Sequence, residues 1–121
     1  MKKILWVEDD AFLSSIIEKK VSLEKFSLDI ARDGSSALQM LETVKPDIII
    51  LDIMLPGMDG FEILKKIREN VENQKIPVLF LSNLGAPGDI EKGMALGATK
   101  YMVKAMFTLD QIIEEVEKML V

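Results

Sequence analysis

Residues 48–52 read Ile-Ile-Ile-Leu-Asp, an apolar run that ends on a carboxylate. A run this short between longer amphipathic stretches is typical of a parallel strand buried on both faces of a sheet. Three further runs have the same form: residues 4–7 precede Glu8, Asp9 and Asp10, residues 78–81 precede Ser82, and residues 101–103 precede Lys104. Because ligands of open α/β sheets bind outside the carboxyl ends of the strands, these acids, the hydroxyl and the amine are expected to meet in one crevice.

The segments between these runs carry apolar residues at helical spacing, which predicts helices that each bury one face against the sheet. The predicted helices extend from Ala11 to about Lys25, from Asp33 and Gly34 to Pro46, from Asp59 to about Asn70, from about Asp89 to Leu96, and from Thr108 through Leu120. In the first two helices the predicted inward-facing residues are Phe12, Ile16, Ile17 and Val21, then Ala37, Leu38, Leu41 and Val44. Residues 85–88, Gly-Ala-Pro-Gly, are expected to form a flexible linker before the fourth helix.

A short strand predicted over residues 26–31 completes five repeats of a strand followed by a helix. Right-handed crossovers then give a doubly wound α/β fold with a five-stranded parallel sheet, for which we expect the strand order 2-1-3-4-5. The length of 121 residues suits one domain with one continuous core, and we assign it to residues 1–121.

The composition excludes several classes of function. A formal net charge of −5 and the lack of a basic stretch argue against a direct nucleic-acid or membrane partner. The chain has no cysteine and no histidine, so any chemistry must use carboxylates, hydroxyls and lysine. No apolar run approaches the ~20 residues that cross a bilayer, and residues 1–7 lack a signal-peptide pattern, so a cytoplasmic location is expected.

Glu8, Asp9 and Asp52 are predicted to form an acidic cluster at adjacent strand ends. Two carboxylates about 4 Å apart repel by about 4 kcal/mol at an effective dielectric constant of about 20, so the cluster favours a bound cation. Ligation by oxygen alone suits Mg²⁺ or Mn²⁺. Glu8 and Asp9 by themselves also fit a solvated acidic turn, and Asp52 is the residue that favours a metal site. Asp10 is expected to cap the first helix instead.

Asp52 is also a candidate nucleophile, because an aspartate at a strand mouth can attack phosphorus and form an acyl phosphate. Ser82 can offer its hydroxyl, and Lys104 its ammonium, to the same phosphoryl group. Each of these two residues is ordinary on its own, since a strand-end serine usually shapes a turn and a lone lysine is usually solvated. Their joint position is what predicts a phosphoryl-binding site.

With these residues in place, the chain resembles the receiver domains of two-component response regulators, the group that includes the chemotaxis regulator. The matching segments are residues 7–10 (VEDD), 51–60 (LDIMLPGMDG), 81–82 (LS), 97–98 (GA) and 101–104 (YMVK). The resemblance covers nearly the whole chain and implies a flavodoxin-like fold.

The resemblance also implies roles for individual residues. It makes Asp52 the phosphoacceptor and a metal ligand, with Glu8, Asp9 and the backbone carbonyl of Met54 as the other ligands from the protein. It implies that Ser82 and Lys104 bind the phosphoryl group, and that Tyr101 turns inward when Ser82 is drawn to it. The alternative for Tyr101 is an ordinary half-buried strand aromatic.

Three features depart from the family pattern. Ala105 stands where most receivers have proline, so the loop that carries the lysine is expected to be looser or differently turned. Met54 and Leu84 place apolar side chains beside the phosphoryl pocket, from which we expect slow hydrolysis of the phosphorylated form. Thr99 and Lys100 replace acidic residues that DNA-binding relatives use in dimerisation, so that dimer is not expected here.

The expected function is a switch, in which a sensor histidine kinase or a phosphotransfer protein donates a phosphoryl group to Asp52 in the presence of Mg²⁺. The face formed by the fourth helix, fifth strand and fifth helix would then regulate a downstream protein or output domain, without turnover of a metabolite. Two alternatives stay open. An aspartyl-nucleophile phosphatase of the haloacid-dehalogenase type needs an acid where Met54 stands. A degenerate receiver that binds its partner without phosphorylation is kept open by Ala105.

Overall fold

The computed structural model describes residues 1–23 and 26–121, and its centre is one parallel sheet. The five strands are β1 (Lys2–Val7), β2 (Phe26–Ala31), β3 (Ile48–Leu51), β4 (Val78–Ser82) and β5 (Lys100–Val103). They lie in the order β2-β1-β3-β4-β5 with every neighbouring pair parallel, which confirms the predicted fold and strand order. All strands therefore end at one edge of the sheet.

Five α-helices cover the two faces of this sheet. They are α1 (Ala11–Ser22), α2 (Gly34–Met40), α3 (Gly60–Glu69), α4 (Pro87–Ala95) and α5 (Leu109–Met119), and single 3₁₀ turns span Val71–Asn73 and Lys104–Met106. None of the helices within the described ranges has both the length and the apolar character that a bilayer crossing requires.

Successive strand residues point to opposite faces, and this alternation divides the core in two. One cluster contains Leu5, Ile49 and Phe80 and packs against residues of α2 and α3. The other contains Trp6, Ile50 and Leu79 and packs against residues of α1 and α5. Residues 4–7, 48–51 and 78–81 are buried on both faces of the sheet, and these runs are apolar throughout, as predicted.

Side-chain caps fix the beginnings of four helices, each at the place where the sequence predicted that the helix begins. Asp10, Asp33 and Asp59 accept hydrogen bonds from backbone N–H groups in the first turns of α1, α2 and α3. Thr108 and Gln111 form a reciprocal capping box at α5. The predicted end of the first helix near Lys25 lies outside the described residues.

The structure corrects the predicted inner face of α1. Phe12 is 77% exposed and Ile16 is 39% exposed, whereas Ile17 and Val21 are buried as expected. Phe12 precedes Ile17 by five residues, which places it about 140° around the helix from the buried face. Ser14, three residues before Ile17, occupies that face instead.

The second helix is shorter than predicted, and the fourth begins earlier. α2 ends at Met40. After it, backbone hydrogen bonds join residues three apart, as in a 3₁₀ turn, from Glu42 N to Gln39 O and from Thr43 N to Met40 O. The residue directly before a proline disfavours the helical conformation, which excludes Lys45 from the helix but does not account for its earlier end at Met40. Pro87 and Gly88, assigned to a linker, lie in the first turn of α4, where proline at the first position is favourable.

We predict that Gly60→Ala destabilises the protein, whereas Gly88→Ala does not. A Cβ at Gly60 would lie 2.3 Å from the carbonyl oxygen of Asp52, and this neighbour is backbone that cannot rotate away. We expect a loss of about 3 kcal/mol in the free energy of unfolding, measured by urea denaturation. At Gly88 no atom lies within 4 Å of an added Cβ, so the alanine there should be neutral or stabilising by about 0.4–1 kcal/mol. Equal stabilities for the two variants would contradict the predicted clash.

Candidate functional site

The carboxyl edge of the sheet brings three of the predicted site residues into direct contact. Lys104, which follows β5, donates from Nζ to Glu8 Oε1 at 2.8 Å and to Asp52 Oδ2 at 3.0 Å. Glu8 follows β1 and Asp52 follows β3, so one ammonium joins the ends of three strands. The predicted convergence of acid and amine is therefore present.

Both carboxylates that share Lys104 are buried and have further donors. Glu8 is 2% exposed, and its second oxygen accepts a hydrogen bond from Asp10 N at 3.2 Å. Asp52 is 9% exposed, and its second oxygen accepts from Met54 N at 3.2 Å. Two anions around one cation leave the cluster with an excess of one negative charge.

Lys104 stays charged in this environment. Burial alone would lower the pKa of Lys104, but the hydrogen bonds and negative charges of Glu8 and Asp52 outweigh burial and raise this pKa above its ordinary value. At neutral pH the ammonium therefore offsets one of the two carboxylate charges. Removing it would leave two buried carboxylates without a counter-charge.

Asp9 and Met54 lie on the solvent side of the crevice. Both are exposed, and together with Leu84, Asp59 and Lys92 they line an open groove of about 600 Å³. Within the described ranges, no group of three or more acidic, histidine or cysteine side chains is arranged to hold a metal ion. Of the three predicted acidic residues, Glu8 and Asp52 are thus buried within the crevice, and Asp9 lies at its mouth.

The donor set nevertheless fits a hard divalent cation. Mg²⁺ commonly uses one or two carboxylates, keeps several waters and does not need a cage of protein ligands. Here all the available donors are oxygens, and the cluster has an excess of negative charge that a cation would offset. The ligand set of Glu8, Asp9, Asp52 and the Met54 carbonyl stays a prediction.

Ser82 and Tyr101 are connected through the backbone of Leu84. Ser82 is fully buried, and its Oγ accepts a hydrogen bond from Leu84 N at 3.3 Å. Tyr101 is half-buried, and its hydroxyl donates to the carbonyl oxygen of Leu84 at 2.5 Å. Its ring packs on Phe80 with the centroids 5.8 Å apart. No sequence pattern indicates this role of Leu84, because both contacts are made by its main chain.

The loop after β5 contains the departure at Ala105. Residues Lys104–Met106 form one 3₁₀ turn, and Phe107 N donates to Lys104 O at 3.5 Å. Every peptide bond in the described part of the chain is trans. The turn presents Lys104 to both carboxylates without the proline that most receivers have at this point.

Thr99 and Lys100 have partners within the chain. The Thr99 hydroxyl accepts a hydrogen bond from Val78 N at 3.1 Å, at the beginning of β4. Lys100 Nζ pairs with Glu115 of α5 at 2.5 Å, and the Glu115 side chain is only 19% exposed. These contacts serve the packing of β4, β5 and α5. It stays a prediction that this protein does not form the dimer of its DNA-binding relatives.

Comparisons with known proteins support the resemblance. A family model described as the response regulator receiver domain matches residues 4–117. The transcriptional regulatory protein TrcR of Mycobacterium tuberculosis is 33% identical over 118 residues, which cover 98% of this chain and 45% of TrcR. The response regulator PleD of Caulobacter vibrioides is 36% identical over 102 residues, covering 84% of this chain and 22% of PleD. The chain thus spans less than half the length of either relative.

Solved structures show the same fold. The chemotaxis response regulator CheY4 of Vibrio cholerae superposes with a TM-score of 0.91 at 28% identity, covering 99% of each chain. The Mn²⁺-bound form of the response regulator Rcp1 superposes with a TM-score of 0.83 at 28% identity, covering 98% of this chain and 91% of that one.

We predict that the hydroxyl of Tyr101 titrates above 10.0 in the folded protein. Burial is the largest cause that raises this pKa from 10.0, followed by the charge of Asp89; the Ser82 hydroxyl lowers it and Asp52 raises it further. A tyrosine whose pKa is higher in the folded state stabilises the fold below its unfolded pKa, and this stabilisation is lost as the pH rises through the folded pKa.

The measurement is direct because the chain has one tyrosine. Tyrosinate absorbance should have its midpoint above 10.0 in buffer and return to about 10 in denaturant. In Tyr101→Phe the absorbance step should be absent, and the part of the alkaline loss of stability that is due to this hydroxyl should disappear. A native midpoint at or below the value in denaturant would contradict the burial and charge effects described above.

Proposed function

The chain belongs to the receiver domains of two-component response regulators, and on this premise we propose that it is a signalling switch in which Asp52 accepts a phosphoryl group. The observation that carries this proposal is the position of Lys104, whose ammonium lies 3.0 Å from Asp52 and 2.8 Å from Glu8. A cation at this point stabilises the charge that a phosphoryl group brings to Asp52.

The proposed reaction is an in-line transfer from the phosphohistidine of a sensor histidine kinase or a phosphotransfer protein. An Asp52 carboxylate oxygen attacks phosphorus, the phosphorus–nitrogen bond breaks, and the imidazole nitrogen keeps the bonding electron pair. Lys104 donates to a phosphoryl oxygen, and the Ser82 hydroxyl donates to another. The domain promotes its own modification and turns over no metabolite.

A divalent ion, Mg²⁺ or Mn²⁺, would be held by Glu8, Asp9, Asp52 and the Met54 carbonyl. When bound, it would neutralise the oxygens of the incoming phosphoryl group. The excess negative charge of the cluster and its oxygen-only donors support this assignment, and the Mn²⁺-bound form of the similar regulator Rcp1 agrees with it.

The response to phosphorylation would pass through Leu84. Ser82 accepts a hydrogen bond from the Leu84 amide, and Tyr101 donates to the Leu84 carbonyl, so movement of either hydroxyl changes the segment from Asn83 to Asp89. The altered face of α4, β5 and α5 would then bind a downstream protein or an output domain. With a net charge of −5 and no basic stretch, we propose no direct contact with nucleic acid or membrane.

We predict that acetyl phosphate with Mg²⁺ adds one phosphoryl group to the protein, detected by intact-mass measurement. Asp52→Asn should show no addition, because an amide cannot form the acyl phosphate. Asp29→Asn, which changes an aspartate on the edge strand β2, is the matched control and should be modified like the unaltered protein. An unmodified mass in the presence of Mg²⁺ would instead favour a receiver that binds its partner without phosphorylation.

We also predict that the phosphorylated form hydrolyses slowly. Met54 is 63% exposed beside Asp52, and Leu84 lines the same groove, so apolar side chains border the path of the attacking water. Met54→Asn offers that water a polar partner and should increase the rate about tenfold, which corresponds to about 1.4 kcal/mol of activation free energy. The decay of the phosphorylated mass after removal of acetyl phosphate gives both rates. A lifetime of only seconds in the unaltered protein would refute the prediction.

A further inference from the structure

Helix α4 is weakly attached along its length. Of residues Pro87–Ala95 only Gly93 is buried, so the helix contributes no buried apolar side chain to the core. A Cβ added at Gly93 would lie 3.0 Å from the Phe80 ring and 3.2 Å from the Tyr101 ring, so the backbone rests directly on these aromatics. Lys92 adds a contact between its ammonium and the Phe61 ring, 4.4 Å from the centroid. Contacts at the two helix ends therefore decide where α4 lies.

The C-terminal end of α4 is held firmly. Gly97 N donates to Met94 O and Ala98 N donates to Gly93 O, each at 3.1 Å, and Gly97 has a φ of +106°. This pattern is a Schellman motif, which requires glycine at the left-handed position. It is followed at once by Thr99, whose N–H and hydroxyl both pair with Val78 of β4.

Arg68 of α3 adds a side-chain clamp at the same place. Its Nε and Nη2 donate to the carbonyl oxygen of Gly97 at 3.2 and 2.8 Å, and its Nη1 donates to the carbonyl oxygen of Asn73 at 2.8 Å. One planar guanidinium therefore joins α3, the 3₁₀ turn after it and the end of α4. A lysine cannot reproduce this fork, because its ammonium cannot hold both carbonyls in the same fixed geometry.

The N-terminal end of α4 is held differently. Ala86 at the N-cap position provides no side-chain hydrogen bond to the first turn. The preceding loop is tied to the sheet through Leu84, whose amide donates to Ser82 and whose carbonyl accepts from Tyr101. The attachments of this end are thus the two hydroxyls that the proposed switch would move.

From this asymmetry we propose that Arg68 is a positioning residue that fixes the C-terminal end of α4 as a pivot, so that phosphorylation displaces only the N-terminal end. The inference rests on the proposed function, because it assumes that Ser82 and Tyr101 respond at Asp52. It adds the direction of the response: the helix turns about Gly97 and does not shift as a whole.

Amide hydrogen exchange before and after treatment with acetyl phosphate and Mg²⁺ tests the pivot. In the unaltered protein, we expect exchange to change in residues 83–90 and to stay constant in residues 94–99. In Arg68→Ala, exchange in residues 94–99 should be about tenfold faster than in the unaltered protein even before treatment, as expected for the loss of hydrogen bonds from a charged donor. After treatment, the change in exchange should extend through residues 94–99. Arg32→Ala, which removes an exposed arginine before α2, is the matched control and should behave like the unaltered protein.

Arg68→Lys is the second variant, in case the alanine variant does not fold. This variant keeps the positive charge, and the change in exchange should again extend into residues 94–99, but to a smaller degree than in Arg68→Ala. A purely structural role for Arg68 would lower the melting temperature and leave the location of the change unaltered, and this result would overturn the proposal. A change in amide exchange that is equal at both ends of α4 in the unaltered protein would also overturn the proposal. If Asp52 is not modified, the proposed function fails. The clamp is still tested, because exchange in the untreated protein should be slower at the C-terminal end of α4 than at the N-terminal end, and Arg68→Ala should remove this difference.

Discussion

The ammonium of Lys104 lies between two buried carboxylates, and the carboxyl edge of the sheet is organised around this interaction. Glu8 and Asp52 are placed side by side because β1 and β3 are neighbours in register, and without a nearby cation their burial would be unfavourable. Lys104 supplies that cation from β5, on the far side of β4. In the proposed function, these three charged groups are also the ones that would receive a phosphoryl group and a divalent ion.

The two faces of the sheet have different consequences for function. The face that includes Trp6 is covered by α1 and α5, whose buried apolar residues attach them firmly. On the other face α3 is equally well anchored, but α4 contributes only Gly93 to the buried surface. A helix with so little buried apolar area opposes displacement weakly, which suits the response that we propose to phosphorylation of Asp52.

Much of the fold could be read from local patterns. The apolar runs at β1, β3 and β4 predicted buried parallel strands, because a strand covered on both faces needs no polar alternation. The caps at Asp10, Asp33, Asp59 and Thr108 predicted where helices begin, because a side chain that binds the next N–H groups acts over three residues. The patterns failed at Phe12 and Ile16, where apolar residues face outward, and at residues 41–44, where the spacing suggested a helix that in fact ends at Met40.

The sequence by itself determined the class of fold and the set of residues at the carboxyl edge, because these follow from hydrophobic periodicity and the handedness of chain crossovers. Those rules allow more than one doubly wound strand order, and the structure has the expected order 2-1-3-4-5. Only the tertiary structure decided how those residues are used. It placed Lys104 against Glu8 and Asp52, left Asp9 at the mouth, connected Ser82 to Tyr101 through the main chain of Leu84, and set Arg68 against Gly97. The reason is physical: apart from the bond between Ser82 and Leu84, these contacts join residues far apart in the chain, and several are made by backbone groups that every residue type carries.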